Sequence, residues 1–336
     1  MQIATPYLLF LGDAPDDLAA KTAKGILHWR PENCLGQIRL EGCVPDLGLP
    51  DMTIGEAAAA GVRTMVIGVA NAGGVIPDHW ADTIVEAMDA GLDVASGLHK
   101  KLADIPAIAD AAKRTGRHLF DVRHPREALK TGTGKKRSGK RLLTVGTDCS
   151  VGKMFASLAI ESEMKARGMK ADFRATGQTG ILIAGSGISV DAVVADFISG
   201  AAEALGPDND ADHWDIMEGQ GSLFHASFAG VSLGLLHGSQ PDVIVLCHEP
   251  TRTHMRGLPH APLPDLKACM EANLAAARLT NPDVRCVGVA VNTAKLTGEE
   301  ARTCLAGIEK ELNLPTTDPI RYGAAPIVDA IEALEG

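Results

Sequence analysis

The stretch Leu143-Thr144-Val145-Gly146-Thr147-Asp148-Cys149-Ser150-Val151-Gly152-Lys153-Met154 decides the fold of the second half of the chain. An apolar strand runs into a glycine-framed loop, then Gly-Lys, then a helix, which is the context a phosphate-binding loop requires. Backbone N–H groups of such a loop cradle phosphate oxygens. The helix N-terminus adds partial positive charge, and Lys153 adds a full one. Two departures matter. The spacing from Gly146 to Gly152 is one residue longer than in the commonest pattern. Met154 stands where Ser or Thr would offer a hydroxyl to Mg²⁺. A thioether is a poor ligand for a hard cation, and ATP hydrolysis and phosphoryl transfer depend on that metal. The loop reads as able to hold a pyrophosphate but ill-equipped for Mg-nucleotide chemistry. Coenzyme A fits, because its pyrophosphate is not cleaved.

Around this loop the apolar pattern alternates. Strands are predicted at 141–145, 170–175, 214–218, 242–247 and 284–291, and helices at 153–167, 191–205, 266–279 and 298–312. The strands are rich in Val, Ile and Leu without alternation, which implies burial on both faces. The first part has the same rhythm, with strands at 7–11, 64–69, 92–95 and 118–122 and helices at 18–29, 78–90 and 105–115. Between the parts, Lys130-Thr131-Gly132-Thr133-Gly134-Lys135-Lys136-Arg137-Ser138-Gly139-Lys140 is basic and lacks apolar periodicity. It reads as an exposed connector, with a nucleic-acid tail as the alternative. The expectation is an α/β protein. A Rossmann-like domain occupies 1–129, a linker 130–140, and a P-loop NTPase-like parallel-sheet domain 141–336.

A length of 336 residues suits two domains of about 100–200 residues each. A net charge of −10 sets aside a nucleic-acid surface. No apolar run reaches the roughly 18 residues of a membrane span. The first residues lack a basic n-region, so a cytoplasmic enzyme is expected. Seven cysteines, an odd number with no C-x-x-C, indicate neither a disulfide framework nor a zinc knuckle, and no metal is expected.

Longer motifs carry a resemblance. Residues 146–153, Glu218-Gly219-Gln220-Gly221-Ser222 and Gly288-Val289-Ala290-Val291-Asn292-Thr293 resemble, in order, the P-loop, the Glu-Gly-x-Gly turn and the base-recognition strand of dethiobiotin synthetase and its relatives. That resemblance implies a role for Asn292 in reading adenine. Gly177-Gln178-Thr179-Gly180-Ile181-Leu182-Ile183-Ala184-Gly185-Ser186-Gly187, the run 232–242, Leu246-Cys247-His248-Glu249-Pro250 and the run 276–282 resemble one bacterial family across almost the whole chain. That family includes the D-glutamate N-acetyltransferases. It implies acetyl transfer from acetyl-CoA to an amino acid.

Such a reaction needs a base, because only the free amine is nucleophilic. It also needs oxyanion donors and cations for two carboxylates. Glu218 is the first candidate base. It ends a strand before a Gly-x-Gly turn, at the edge where α/β sites lie; the alternative is that it only orders the P-loop. His237 and Asp196 are further candidates, with His225 and His248 beside them. Asp196 is predicted inside an apolar helix, where a buried carboxylate needs a partner. Arg174, Arg252 and Arg256 are candidate carboxylate anchors, and Gln178 and Thr179 candidate donors. Cys149 sits where a helix N-terminus and Lys153 lower a thiol pKa, so an acetyl-cysteine is the alternative to direct transfer. In the first domain, the loops 68–74 and 96–101 are candidate closures of the substrate pocket. The expected partner is a small amino acid, with no nucleic acid and no membrane; a homo-oligomer is expected from base rates. The rival readings are a Mg-ATP-dependent kinase or ligase and a non-catalytic nucleotide-binding regulator.

Overall fold

The computed structural model describes residues 2–124 and 128–334. The chain divides into two compact units, residues 1–126 with 177–192, and 127–176 with 193–336.

The first unit alternates β1 (Tyr7–Gly12), α1 (Lys21–Trp29), β2 (Cys34–Arg39), α2 (Ile54–Ala59), β3 (Thr64–Ile67), α3 (Ala81–Asp89), β4 (Asp93–Ser96), α4 (Pro106–Thr115) and β5 (Leu119–Asp121). The strands form one parallel sheet in the order β2-β1-β3-β4-β5. Every residue of β1, β3 and β4 is buried, so apolar runs without alternation mark strands covered on both faces. The sequence reading assigned no element to 30–63. The missed α2 carries a local signature in Thr53 and Glu56, which form a reciprocal capping box.

The rest of the chain runs β6 (Lys140–Gly146), α5 (Lys153–Ala166), β7 (Ala171–Arg174), α6 (Gln178–Ala184), α7 (Ile198–Leu205), β8 (Trp214–Met217), α8 (Ala229–Ser239), β9 (Val243–His248), β10 (His254–Met255), β11 (Leu258–Pro262), α9 (Leu266–Ala277), β12 (Arg285–Val291), α10 (Gly298–Leu312), β13 (Thr316–Thr317) and α11 (Ala325–Glu332). Six strands form a parallel sheet, β13-β12-β9-β6-β8-β7. Central β6 reverses the winding, so its C-terminal end is a topological switch point, where α/β ligands bind. The P-loop sits there.

The sequence pattern assigns no helix to 178–184, where α6 forms and packs in the first unit. A side chain on Gly25 of α1 would meet Thr179 and Ile183 at 3.6 and 3.8 Å. One on Gly97 would meet Gln178 at 3.1 Å. Ile3 donates its N–H to the carbonyl of Gly185 at 2.7 Å.

The basic stretch 130–140 is not a free connector. Its lysines at 130, 135 and 136 are exposed, but Thr133 and Gly134 donate backbone N–H groups to Glu203 Oε1 at 2.7 and 2.8 Å. Arg137 donates to the carbonyls of Glu203, Gly206, Gly238 and Ser239. These carbonyls belong to the C-terminal ends of α7 and α8, where helices leave acceptors unpaired and favour a cation. Arg137→Ala should lower stability by about 2–4 kcal/mol, because several part-buried carbonyls lose a charged donor together. Urea unfolding of the variant checks this.

Candidate active site

The P-loop is built by backbone geometry and braced from outside. Ser150 and Gly152 take φ of 52° and 104°, the left-handed region that turns successive N–H groups to one side. Lys153 opens α5 and is buried, with Nζ donating to the carbonyl of Asp148 at 2.8 Å. Burial holds this ammonium below the ordinary lysine range. Gly219 is obligatory, since a Cβ there would lie 1.7 Å from the carbonyl oxygen of Thr144. Met154 is half-buried at the start of α5 and brings no hydroxyl.

The brace is the segment after β9. Asp148 is fully buried. Its Oδ1 accepts from the N–H of Cys149 at 2.6 Å, and its Oδ2 accepts from Arg252 Nη1 at 2.6 Å and the N–H of Arg256 at 2.8 Å. Arg252 also donates to the carbonyls of Cys149 and Ser150 at 2.6 and 2.7 Å. Its Nε faces Glu249, which in turn receives Lys295. Arg252 therefore holds P-loop carbonyls outward so that N–H groups converge inward. It is not a free substrate anchor. Arg256 sits in the turn of the β10–β11 hairpin, exposed, with Nη1 on the Ser150 hydroxyl. It is an exposed cation at this mouth.

Asp148, Cys149 and His225 bring three ligand-type atoms within 4.8 Å of one another. The His225 ring is already committed. Nδ1 accepts from the N–H of Ser227 at 3.2 Å, and Nε2 donates to the carbonyl of Arg256 at 3.0 Å. That leaves no ring lone pair for a metal or a proton. Burial raises the Cys149 thiol despite nearby Lys153, which reverses the sequence expectation of a lowered thiol pKa.

Several predicted residues fall elsewhere. Glu218 is buried at the end of β8. Its oxygens accept from the N–H of Thr176 at 2.9 Å and from Gln220 Nε2 at 3.1 Å. The carboxylate ties the turn after β8 to Thr176. Asp196 lies in a short 3₁₀ turn and is exposed; the helix starts only at Ile198. It needs no buried partner. His237 lies near the C-terminal end of α8, which leads into the start of β9, so it sits at the sheet edge opposite the P-loop. Arg174 is spent on buried Asp215, with Nε to Oδ1 at 2.7 Å. Gln178 and Thr179 open α6 in the first unit.

Asn292 lies beside the loop. A cleft of about 240 Å³ is lined by Val151, Gly152, Phe155, Asn292, Pro319 and Ile320 among others. Whole-ligand pockets run about 300–1,000 Å³, so this one suits a flat base rather than a whole coenzyme. Asn292 Oδ1 accepts from the N–H of Ala294 at 3.2 Å, which leaves its amide N–H₂ to donate into the cleft. Asp318 cannot read a base, because Thr293, Ile320 and Arg321 already occupy both its oxygens.

A Rossmann-like sheet followed by a P-loop sheet, with the loop braced by arginines, defines a two-part α/β protein of the nucleotide-fold class. The chain belongs to the DUF1611 family. Its P-loop domain, described as a domain of unknown function (DUF1611_C), matches residues 129–328, and the Rossmann-like domain, DUF1611_N, matches 39–125. A protein of Tritonibacter scottomollicae named D-glutamate N-acetyltransferase is 56% identical over 332 residues, covering 99% of this chain and 100% of that one. One of the same name from Pseudoalteromonas sp is 52% identical, covering 98% and 99%. The crystal structure of a DUF1611 family protein from Anabaena variabilis superposes with a TM-score of 0.82 at 32% identity, over 98% of this chain and 100% of that one. No helix among the described residues is long and apolar enough to cross a membrane.

Proposed function

We propose that the protein is an N-acetyltransferase that moves the acetyl group of acetyl-CoA to the amine of D-glutamate by direct attack. The names of its two relatives support the reaction class and the substrate. The observation that carries the donor is the P-loop itself. It offers converging N–H groups, Lys153 and Arg256 to a pyrophosphate, opens beside a base-sized cleft at Asn292, and has Met154 where a Mg²⁺-binding hydroxyl would stand. These residues fit the adenosine diphosphate end of coenzyme A.

In the reaction the amine lone pair attacks the thioester carbonyl carbon. A C–N bond forms, the C–S bond breaks, and the thiolate leaves and is protonated. The test is CoA release without ATP and with a chelator present, offering D-glutamate, L-glutamate, D-aspartate and D-glutamine separately. The N-acetyl product is followed by mass. Release selective for D-glutamate and indifferent to the chelator is expected. No release from folded protein overturns the proposal, and turnover of Mg-ATP would point to the kinase or ligase class.

Direct attack makes a second prediction. Because burial holds Cys149 as the thiol, no acetyl adduct should accumulate on protein quenched during turnover or mixed with acetyl-CoA alone. Intact-mass measurement reads this directly.

A further inference from the structure

We infer that His248 is the general base of this transfer and that the hydroxyl of Thr147 sets its tautomer. The inference rests on the acetyl-transfer reading above. Strand β9 pairs with β6 so that Cys247 stands opposite Gly146. His248, the last residue of β9, and Thr147, the first residue beyond β6, follow at the switch-point edge. Nδ1 of His248 lies 3.0 Å from Thr147 Oγ1. Nε2 has no hydrogen-bond partner among the described residues. The carbonyl of His248 accepts from the N–H of Asn292 at 2.8 Å. Among the other candidates, His225 is spent on two backbone groups, His237 lies at the opposite edge and Asp196 in solvent, while Glu218 already accepts from Thr176 and Gln220.

Burial holds the ring below the ordinary histidine range, against Glu249, which favours the protonated form; Arg252 adds to the lowering. A neutral ring is what a base needs. Which nitrogen carries the proton depends on Thr147. Thr147 is fully buried, and when its hydroxyl accepts from Nδ1–H the ring is the Nδ1–H tautomer. The lone pair is then on Nε2. Nε2 takes a proton from the attacking amine as the C–N bond forms and returns it to the departing thiolate.

His248→Gln should lower kcat about 10²–10⁴-fold, the range for losing a general base, with CoA affinity by titration calorimetry little changed. In His248→Gly, added imidazole should restore turnover. In ¹⁵N spectra of the wild type, the His248 ring should be in the Nδ1–H form, and Thr147→Val should abolish that preference. Near-wild-type kcat in His248→Gln overturns the role, as does a loss that imidazole does not rescue and that CoA affinity tracks. A wild type that binds CoA but transfers acetyl to no amino acid removes the acetyl-transfer reading and this inference with it. An active wild type with an active His248→Gln variant removes the inference alone.

Discussion

Lys153→Met is expected to bind coenzyme A about 30- to 1,000-fold more weakly than the wild type, the equivalent of about 2–4 kcal/mol for a charge-assisted contact in a desolvated cradle. Lys153 is 6% exposed and lies inside the loop, with Nζ on the Asp148 carbonyl. An incoming phosphate replaces a neutral acceptor with a charged one. Methionine keeps the aliphatic stem, so a folded variant with lost affinity separates charge from packing. The lowered pKa gives the result a sign in pH. The protonated amine is the form that attracts the anion, so affinity falls as pH rises through the lysine's depressed range. Binding near that range takes up a proton, and calorimetry in buffers of different ionisation enthalpy reads the uptake.

Removing Arg252 is costlier to the whole domain. Arg252→Ala strands a fully buried Asp148 carboxylate and leaves the outward carbonyls of Cys149 and Ser150 without their donor. Breaking a buried pair from one side costs about 3–5 kcal/mol. Urea unfolding should show that loss, and coenzyme titration should show weakened binding in whatever remains folded. Arg252→Lys keeps the charge but cannot fork to three acceptors, so an intermediate result is expected. Arg252→Ala combined with Asp148→Asn should be more stable than Arg252→Ala alone, because the orphaned charge is gone. Equal stability of the two would remove the buried pair from the account.

The P-loop was legible because its signal is local. Glycines, the lysine and the strand-to-helix context lie within a dozen residues, whereas Asn292, which lines the cleft beside the loop, was reached only through a family resemblance. The arginine brace was not legible in the same way. Arg252 reaches a partner more than a hundred positions earlier in the chain, and nothing near it in sequence names that partner. Cys149 misled for a related reason. The neighbours that lower a thiol pKa are visible in sequence, while the burial that outweighs them is not. His237 misled because α8 was unassigned. A helix leading into a parallel strand ends at that strand's starting edge, so recognising α8 would have moved His237 away from the site. Asp196 sits in a run whose apolar residues suggest a helix, yet the chain there makes a 3₁₀ turn before α7 begins.

The path of the chain through α6 bears on ancestry. Residues 177–192 leave the P-loop unit, lodge in the Rossmann-like unit and return, and α6 brings buried Ile181, Leu182 and Ile183 with it. A gene cut anywhere in the basic stretch would yield one product missing a helix and another carrying an orphaned greasy one. The two halves are thus poor cassettes for recombination. Their lineage is expected to travel as a single inherited block, with changes on α1 answered by changes on α6 across roughly 150 intervening positions of the same reading frame.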